Sequence, residues 1–398
     1  MISFLKKHIN AIVYISTIIF SIAFIFIGNY ISAPAHKLRD ERMTMETYIA
    51  RIDKILDVKE EVIKTGNSSS ITNTTTTFKA TILNRNLKGL QVEATQYDDG
   101  VFPIKQKEIK VKDKIVIHCR LKGNDLNWVY GEHLRSNFLL FLLICFFGLL
   151  ILFGKSKAFN TIISLIFTTL AIFLVLIPCI LSGYNIYLVS LIVCSFVVAM
   201  SFILIDGIHK KTLVAILGAI FGFSVSSILI AIFMHLLKIN GMIDENSYYL
   251  LQINTPKPIS LKALVFSSVI IGSLGATMDV AMSIASPLYE LYLKMKNRTR
   301  QSIIESGIEI GKDMLGTMSN TIILAYIGGS LSMLLLLIAN TNSLTALLNK
   351  EMIVVELLQT LIGIIGILLT IPLTSVVCAY LYITKEDMKK NKEIKKSN

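Results

Sequence analysis

Eight long apolar stretches constrain this chain more than any other feature of its sequence. A helix that crosses a bilayer needs about 20 mostly apolar residues, because each residue adds about 1.5 Å across a hydrocarbon core of about 30 Å. The stretches that meet this requirement cover residues 10–31, 137–154, 158–180, 186–206, 212–236, 261–285, 314–339 and 352–383. The sequence therefore predicts an all-α polytopic membrane bundle of about eight transmembrane helices.

The composition agrees with a membrane body and excludes several other classes of protein. Hydrophobic residues make up 53% of the chain and charged residues only 17%, with a mean hydropathy of +0.65, which excludes a cytosolic enzyme and a disordered hub. The five cysteines are scattered and no Cys/His cluster has the spacing of a zinc site, so neither a metal nor a cofactor is expected. The net charge is +12, but the basic residues lie beside the apolar runs, where the orientation of a membrane protein accounts for them. No nucleic-acid partner is therefore predicted.

The positions of the basic residues orient the chain in the membrane. If the N-terminus lies inside, one side of the membrane receives almost every basic loop and the basic tail at 384–398. These loop residues are Lys6, Lys7, Lys155, Lys157, Lys210, Lys211, Lys294, Lys296, Arg298 and Arg300. Short cytoplasmic loops carry an excess of Lys and Arg, so this side is predicted to be cytoplasmic, with both chain termini on it.

The first apolar stretch has two interpretations. Lys6 and Lys7 precede it and the small residues Ala33 and Ala35 follow it, which is also the arrangement of a cleaved signal peptide. Its apolar run of about 20 residues is long for a signal peptide and suits a membrane anchor. We therefore favour an uncleaved anchor over residues 1–31; cleavage would leave seven spans with the same orientation.

A polar insert at residues 32–136 separates the first two spans and is predicted to be extracytoplasmic. Residues 40–64 are charged and typical of a helix, and the Ser/Thr/Asn-rich run at 67–77 is typical of a flexible linker. Alternating apolar and polar residues over about 78–132 predict four to six short strands in a small barrel or sandwich. The predicted organisation is thus this β-rich domain between helices 1 and 2, followed by a seven-helix body at 137–383.

Two stripes of small and polar residues stand out within the apolar body. Helical spacing places Gly272, Gly275, Asp279 and Ser283 on one face of the sixth span. The seventh span has a matching stripe, and its members are Asp313, Gly316, Thr317 and Asn320. Counted from the cytoplasmic boundary, Asp279 and Asn320 lie at a similar depth of about 9 to 11 Å.

A carboxylate at this depth suggests a functional site. A charged residue at the centre of an inserted helix costs about 2.5 to 3.5 kcal/mol. We interpret Asp279 as a cation or proton site, Asn320, Thr317 and Ser283 as neutral oxygen ligands, and Asp313 as a second carboxylate at its mouth. Gly272, Gly275 and Gly316 are interpreted as helix-packing positions. The alternative is that Asp279 hydrogen-bonds a neighbouring backbone and only fixes the helical hairpin.

Weaker signals predict structural roles elsewhere. Asp206 lies at a helix end beside positive residues, which favours a boundary role. Small residues in the apolar spans are interpreted as packing positions, and these are Gly218, Gly222, Gly307, Gly311, Gly363 and Gly366. The sequence from Ser302 to Glu305 has the form of a capping box, which predicts a helix that begins near residue 303.

Residues 272–285 (GSLGATMDVAMSIA) and 311–321 (GKDMLGTMSNT) resemble the YibE/F family of bacterial multipass membrane proteins. The resemblance covers about residues 137–383 well and the strand-rich insert more loosely. Lys312 stands where family members typically have Arg, and Pro287 stands where they have a small residue, which predicts a break in the helix just after Ser286. The resemblance implies a bacterial plasma-membrane protein that is permease-like, and it implies no substrate.

Together these observations predict a secondary transporter or ion-coupled permease rather than an enzyme, because no HExxH, Walker A or GxSxG motif is present. Its expected partners are the lipid bilayer and an unknown small solute or ion. The rival interpretation is a non-transporting envelope protein that binds a partner through its extracytoplasmic β module. An extracytoplasmic protein partner and a homo-oligomer both stay open at this point.

Overall fold

The computed structural model describes residues 2–32, 45–65, 69–99, 108–122, 125–253, 255–295, 299–340 and 343–383. The chain separates into two compact units, one made of residues 1–36 and 154–398 and the other of residues 37–153. The basic tail and the Ala33 to Ala35 segment lie outside the described residues.

Helices make up most of the described chain. They are α1 Ile2–Ile31, α2 Ser136–Ala171, α3 Ile177–Leu181, α4 Ile186–Asp206, α5 Lys210–Leu236, α6 Glu245–Leu251, α7 Leu261–Lys294, α8 Arg300–Gly329, α9 Leu331–Ala339, α10 Leu344–Leu348 and α11 Glu351–Tyr382. A π-helix at Ile172–Leu176 joins α2 to α3. Lys155 has non-helical backbone angles (φ 48°, ψ −126°) and divides α2 into two straight segments.

The helices match the apolar stretches of the sequence. Within the described residues, seven helical segments are long and apolar enough to cross a membrane. The predicted seventh span is bent, because α8 and α9 meet at an angle of 65°, and the two together count as an eighth candidate. The chain is thus a multi-pass membrane protein by the length and composition of its helices, and in place of the predicted seventh span it has a bent helix pair with the form of a broken span or a re-entrant loop.

The centre of the helical unit is a seam of small residues between α5, α7 and α11. A Cβ added at Gly222 would collide with Thr370 Oγ1, and one added at Gly218 would lie 3.0 Å from Thr374 Cβ. A Cβ at Gly366 would likewise collide with a serine hydroxyl of α5. Small residues let helix backbones approach closely in a bilayer, where apolar burial alone gives no driving force. The packing interpretation of these three glycines is confirmed.

The eighth helix packs on α11 through two further small residues. A Cβ at Gly307 would collide with Ser375 Oγ, and one at Gly311 would collide with Ile371. The start of α8 differs from the prediction: the helix begins at Arg300, three residues early, because Thr299 caps it by accepting a hydrogen bond from the Ser302 amide at 3.2 Å.

Pro287 does not break its helix. The expected break after Ser286 is wrong, since α7 continues through the proline to Lys294. Proline has no amide hydrogen to donate to the carbonyl of Ser283, four residues earlier, so this carbonyl loses its usual helical partner. Packing preserves the helix here: Leu288 is fully buried, and Tyr382 on α11 donates a hydrogen bond to the Ala285 carbonyl at 3.0 Å.

The second unit contains a closed five-stranded barrel. Its strands are β1 Met45–Thr65, β2 Ser69–Ile82, β3 Gln91–Asp98, β4 Lys114–Lys122 and β5 Asp125–His133, in the order β1-β2-β3-β5-β4. Only β3 and β5 pair in parallel. This order and closure are those of the OB-fold. Its interior is apolar and fully enclosed around Ile52, Phe78, Ile82, Ile115 and Ile117.

Two predictions about the insert are wrong. Residues 45–64, expected to be helical, form most of β1, and the run expected to be a flexible linker forms β2 from Ser69 onward. Thr74 to Thr77 are β-branched, which favours strands, and each pairs with a residue of both β1 and β3. The β-rich module therefore begins near residue 45 rather than 78.

Candidate functional site

Asp279 lies near the middle of α7 on a face that the described helices leave open around Gly275 and Asp279. This Asp279 face consists of Gly272, Gly275 and Asp279, which are all exposed in the single chain. A Cβ at Gly275 would meet no described atom within 4 Å. Asp279 makes no hydrogen bond or ion pair to another described side chain, so the carboxylate is available to a ligand.

The predicted partner stripe on α8 is exposed as well. Asp313, Gly316, Thr317 and Asn320 all lie on its open side, and Gly316 has no described neighbour within 4 Å of a Cβ position. Thr317 donates its hydroxyl to the carbonyl of Met314 in its own helix at 3.1 Å, so only its oxygen lone pairs remain for a ligand.

Contacts at two levels fix the antiparallel register of α7 and α8. A Cβ at Gly272 would lie 2.6 Å from the Tyr326 hydroxyl, and a Cβ at Gly307 would lie 2.9 Å from Leu288. Asp279 lies seven residues after Gly272 on α7. Because the helices are antiparallel, the matching position on α8 is Ser319, seven residues before Tyr326. Each step is about 10 Å along its helix, so Asp279 lies level with the predicted stripe.

The stripe nevertheless points away from the contact between the two helices. Asn320 and Tyr326 are six residues apart, which places their side chains about 120° apart around α8. No hydrogen bond joins Asp279 to Asn320, Thr317 or Asp313 among the described residues. The two stripes thus lie at the same depth, but they do not contact each other among the described residues. The ligand and packing roles of these residues stay predictions.

Two polar side chains that the sequence analysis overlooked border the Asp279 face. Gln359 on α11 donates a hydrogen bond to the Tyr326 hydroxyl at 3.2 Å. A Cβ at Gly272 would lie 3.1 Å from the Gln359 amide nitrogen, so both groups lie against the backbone two turns from Asp279. An uncharged amide within an otherwise apolar span is the sequence signal that would have identified Gln359.

Further polar groups follow the Asp279 face in both directions. Together with Asp279, Tyr326 and Gln359 they form a polar line that runs from Glu356 to Ser283. Glu356 is three residues before Gln359 on α11 and half-buried, so it lies one turn away on a similar face. In the other direction, Ser283 is one turn beyond Asp279, and its carbonyl is the one that Pro287 cannot bond. Oxygen atoms that suit a hard cation or a proton therefore follow α7 and α11.

The chemistry of the line favours neutral or singly charged ligands. Within the described residues, no group of three or more His, Cys, Asp and Glu side chains is placed to hold a metal ion. One carboxylate with amide, hydroxyl and carbonyl oxygens suits a proton or a monovalent cation better than a transition metal, which prefers imidazole or thiolate.

Asp206 has the boundary role that its sequence context favours. Its carboxylate forms ion pairs with Lys157 at 3.7 Å and Lys211 at 3.8 Å, which join the ends of three helices. The side chain of Asp206 is 13% exposed, so these pairs offset the cost of burying its charge.

Comparison with known proteins places both stripes within a family match. The model of the family described as YibE/F-like protein matches residues 142–384, which is more than half of the chain. The match includes α7, α8 and α11 and leaves out the barrel strands. Comparison with curated proteins and with solved structures gives no match. The chain is therefore a member of the YibE/F-like protein family.

Proposed function

We propose that the protein is a secondary transporter of the bacterial plasma membrane, coupled to a proton or a monovalent cation that binds at Asp279. The observation that carries this proposal is the exposed carboxylate without a protein partner near the middle of a membrane-length helix. A bare carboxylate against lipid costs about 2.5 to 3.5 kcal/mol, so the Asp279 face must be hydrated or bound to a cation.

The polar line from Glu356 to Ser283 supports a path for the coupling ion. Carboxylates at Glu356 and Asp279 provide two exchange positions, and Tyr326 with Gln359 provides neutral groups between them. Binding of a proton or cation at Asp279 removes the charge from this face. The face then becomes less costly to enclose, which couples ion occupancy to a conformational change that covers Asp279.

The break between α8 and α9 supports a moving element beside this line. The two helices meet at 65°, and Gly328 and Gly329 at the break have no described neighbour within 4 Å of a Cβ position. Discontinuous helices line the substrate sites of many secondary transporters. We assign the break as the hinge of α8, and the substrate itself stays open.

The decisive experiment is a flux screen with purified full-length protein in liposomes. Protons, monovalent cations and small anions are tested with the parent protein, Asp279→Asn and the control Glu309→Gln. Glu309 is an exposed acid that pairs with Lys312 at 2.9 Å, away from the polar line. We expect a flux that depends on pH or on the cation, loss of this flux in Asp279→Asn, and no change in the control.

A conservative variant separates transport from folding. Asp279→Glu is expected to retain flux with a shifted pH profile, because the carboxylate remains and only its position changes. If Asp279→Asn fails to accumulate in the membrane, Asp279 is a structural residue, and if it conducts like the parent, the coupling ion does not bind at Asp279. The absence of flux of every tested species through the parent protein would contradict transport itself.

We further propose that both termini and the basic loops face the cytoplasm. Cysteines introduced at Lys210 and Tyr184, at opposite ends of the α4 region, test this orientation in a cysteine-free background. A membrane-impermeant maleimide added to intact cells is expected to label Tyr184→Cys and to spare Lys210→Cys. The reverse pattern would invert the topology.

A second candidate function rests on the barrel. Beyond Arg51, no described strand pairs with one edge of β1, although the other edge pairs with β2 as far as Thr65. A groove of about 310 Å³ lies at the mouth of the barrel. Its lining includes Glu60, Asp98 and Glu108 and no Lys or Arg. An open strand edge beside acidic groups suits an extended basic segment of a partner protein.

Capture from membranes by the full-length protein tests this second candidate. The double change Glu60→Lys and Glu108→Lys reverses the charge of the groove, and Glu93→Lys is the control because Glu93 is exposed on the outer side of β3. Loss of a partner in the double variant alone supports envelope assembly. Flux without any dependence on these residues supports transport instead.

A further inference from the structure

An open polar cavity lies between α1, α2, the end of α4 and the residues that join α4 to α5, and the proposed transport function does not use it. Its volume is about 430 Å³, and its polar lining comes from Tyr14, Asn160, Asp206 and His209. The lysines that pair with Asp206, Lys157 and Lys211, stand at its rim. The cavity therefore offers one carboxylate and two ammonium groups at the level where the helices end.

An apolar cleft continues from this cavity toward the middle of the helices. The cleft has a volume of about 610 Å³ and shares Ile203 with the polar cavity. It is lined by α1 and α4, chiefly by Phe20, Phe24 and Phe196, and the rings of Phe24 and Phe196 stack at 4.0 Å.

The hydroxyl groups along the cleft do not make it polar. Thr17 donates its hydroxyl to the carbonyl of Val13 at 2.9 Å, and Ser195 donates to the carbonyl of Leu191 at 2.8 Å. Each of these hydroxyls satisfies its donor within its own helix, so the cleft presents methyl and ring carbons to an occupant.

The part of the cleft next to the polar cavity is as long as one leaflet of a bilayer, and a second apolar cleft of about 350 Å³ continues it past Ile192 toward Ile31. On α4 the first part extends from Ile203 to Ile192, which is eleven residues or about 16 Å. Half of a hydrocarbon core is about 15 Å. A polar end at the helix termini and an apolar part of this depth fit a molecule with a charged head and one acyl chain within the protein.

We propose that this continuous cleft binds one phospholipid whose headgroup carries both a phosphate and a primary amine. The phosphate pairs with Lys157 and Lys211, and the ammonium pairs with Asp206. Asp206 on the wall favours such an aminophospholipid over a purely anionic lipid, since a phosphate that draws Lys157 and Lys211 away from Asp206 leaves its carboxylate to be matched by the headgroup ammonium. Basic pockets between transmembrane helices bind phosphate headgroups in this way.

The test uses the full-length protein in detergent, with phosphatidylethanolamine, phosphatidylglycerol or phosphatidylcholine added at equal concentration. Native mass spectrometry counts retained lipids, and the melting temperature reports stabilisation of the protein. We expect one retained phosphatidylethanolamine per chain and about a tenfold preference for it over the other two lipids, the difference expected from one charge-assisted contact.

Two variants address the head and the chain separately. Asp206→Asn is expected to bind lipid without the preference for phosphatidylethanolamine. Ala199→Phe fills the apolar cleft and is expected to lose retention of all three lipids. Ile228→Phe is the matched control, because Ile228 is exposed on α5 and lines neither cavity.

Three outcomes would overturn the proposal. They are equal retention of the three lipids by the parent protein, unchanged retention in Ala199→Phe, and a dimer whose formation the Ala199→Phe change abolishes. The last result would assign the cleft to a second copy of the chain. If Asp206→Asn unfolds, Ala199→Phe still decides the question, since it leaves every charged group in place. None of these readouts depends on transport at Asp279.

Discussion

The two sides of α7 use small residues for opposite purposes. Toward α5 and α11, small residues lie in a closed seam where Gly222 lies against Thr370 and Gly366 lies against the Ser226 side chain of α5. On the other side, Gly275 has open space around it and Asp279 is exposed. The same residue types therefore mark tight packing on one side and an accessible polar surface on the other.

This difference teaches that composition alone does not assign a small-residue stripe. The seam has every helix backbone in contact, and most of its hydroxyls donate to carbonyls of their own helices, such as Thr370 to Gly366 at 2.6 Å. The Asp279 face has a charge, and no described helix covers it at Gly275 and Asp279. The first three experiments below test whether the two sides differ as strongly in energy as they do in geometry, and a fourth concerns a helix outside both.

The largest effect is expected from Gly222→Ala. Its new Cβ collides with Thr370 Oγ1, and Thr370 cannot rotate away without losing its bond to the Gly366 carbonyl, so we expect a loss of about 2 to 3 kcal/mol. Gly275→Ala is the matched control and should gain up to about 1 kcal/mol, because alanine favours the helix. Thermal unfolding in detergent measures both. Equal effects would remove the distinction between the two sides.

A gain of about 1 to 2 kcal/mol is expected from Asp279→Leu, because the change takes a carboxyl group away from the hydrocarbon region. Unfolding of the purified variant reports this gain, and Asn320→Leu is the control that removes polarity without charge. A destabilised Asp279→Leu protein would mean that the carboxylate holds a structural partner.

Two threonines of the seam are expected to respond in opposite directions. Thr374 Oγ1 is buried and has no hydrogen-bond partner among the described residues, so Thr374→Val should stabilise the protein by about 1 kcal/mol. Thr370→Val should cost about 0.5 to 1.5 kcal/mol, because it removes the bond to Gly366. Melting curves recorded side by side distinguish them. Losses of equal size would show that Thr374 is satisfied by a group within the seam.

The smallest effect concerns α6, which belongs to neither side of α7. Burial alone would raise the pKa of Asp244, but hydrogen bonds from Ser247 and Asn246 outweigh it and lower the pKa below its usual value. The cap therefore stabilises α6 above about pH 4 and is lost as the pH falls through the lowered pKa.

Amide hydrogen exchange in Glu245–Leu251 measures this cap. We expect faster exchange at acidic pH in the parent protein, and a loss of about 0.5 to 1 kcal/mol of local stability at neutral pH in Asp244→Ala. Asp244→Asn retains a capping oxygen and should lose only the pH dependence. An acid-independent exchange rate in the parent would show that Asp244 does not cap the helix in its charged form.

The barrel shows where sequence patterns mislead. Strands after residue 78 could be predicted, because their apolar residues alternate with polar ones. The charged composition of residues 40–64 is typical of a helix, so it does not predict β1. Within β1, the segment from Asp57 to Glu61 is held as a strand by its pairing with Asn73 to Thr77. Such pairing joins residues that lie far enough apart in the chain for local propensity not to reveal it.

The depth of the site residues along their helices could be predicted from the sequence, but the direction in which their side chains point could not. Counting residues placed Asp279 and the stripe of α8 at one level, and the contact of Gly272 with Tyr326 agrees with that level. Which residues then meet depends on how each helix is rotated about its axis. That rotation is set by Gly307 and Gly311, which attach α8 to α11 and turn Asn320 outward.

The sequence by itself determined which segments are helices long enough to span a bilayer, because 20 apolar residues in a row have no other stable use. It also determined that α7 bears a lone acid in such a segment. Only the tertiary structure decided which polar groups accompany this acid, since Tyr326 and Gln359 come from two other helices and reach Gly272 through packing alone. The hydrophobicity of a segment determines whether that segment forms a membrane helix. Which side chains of different helices contact each other depends on how each packed helix is rotated about its axis.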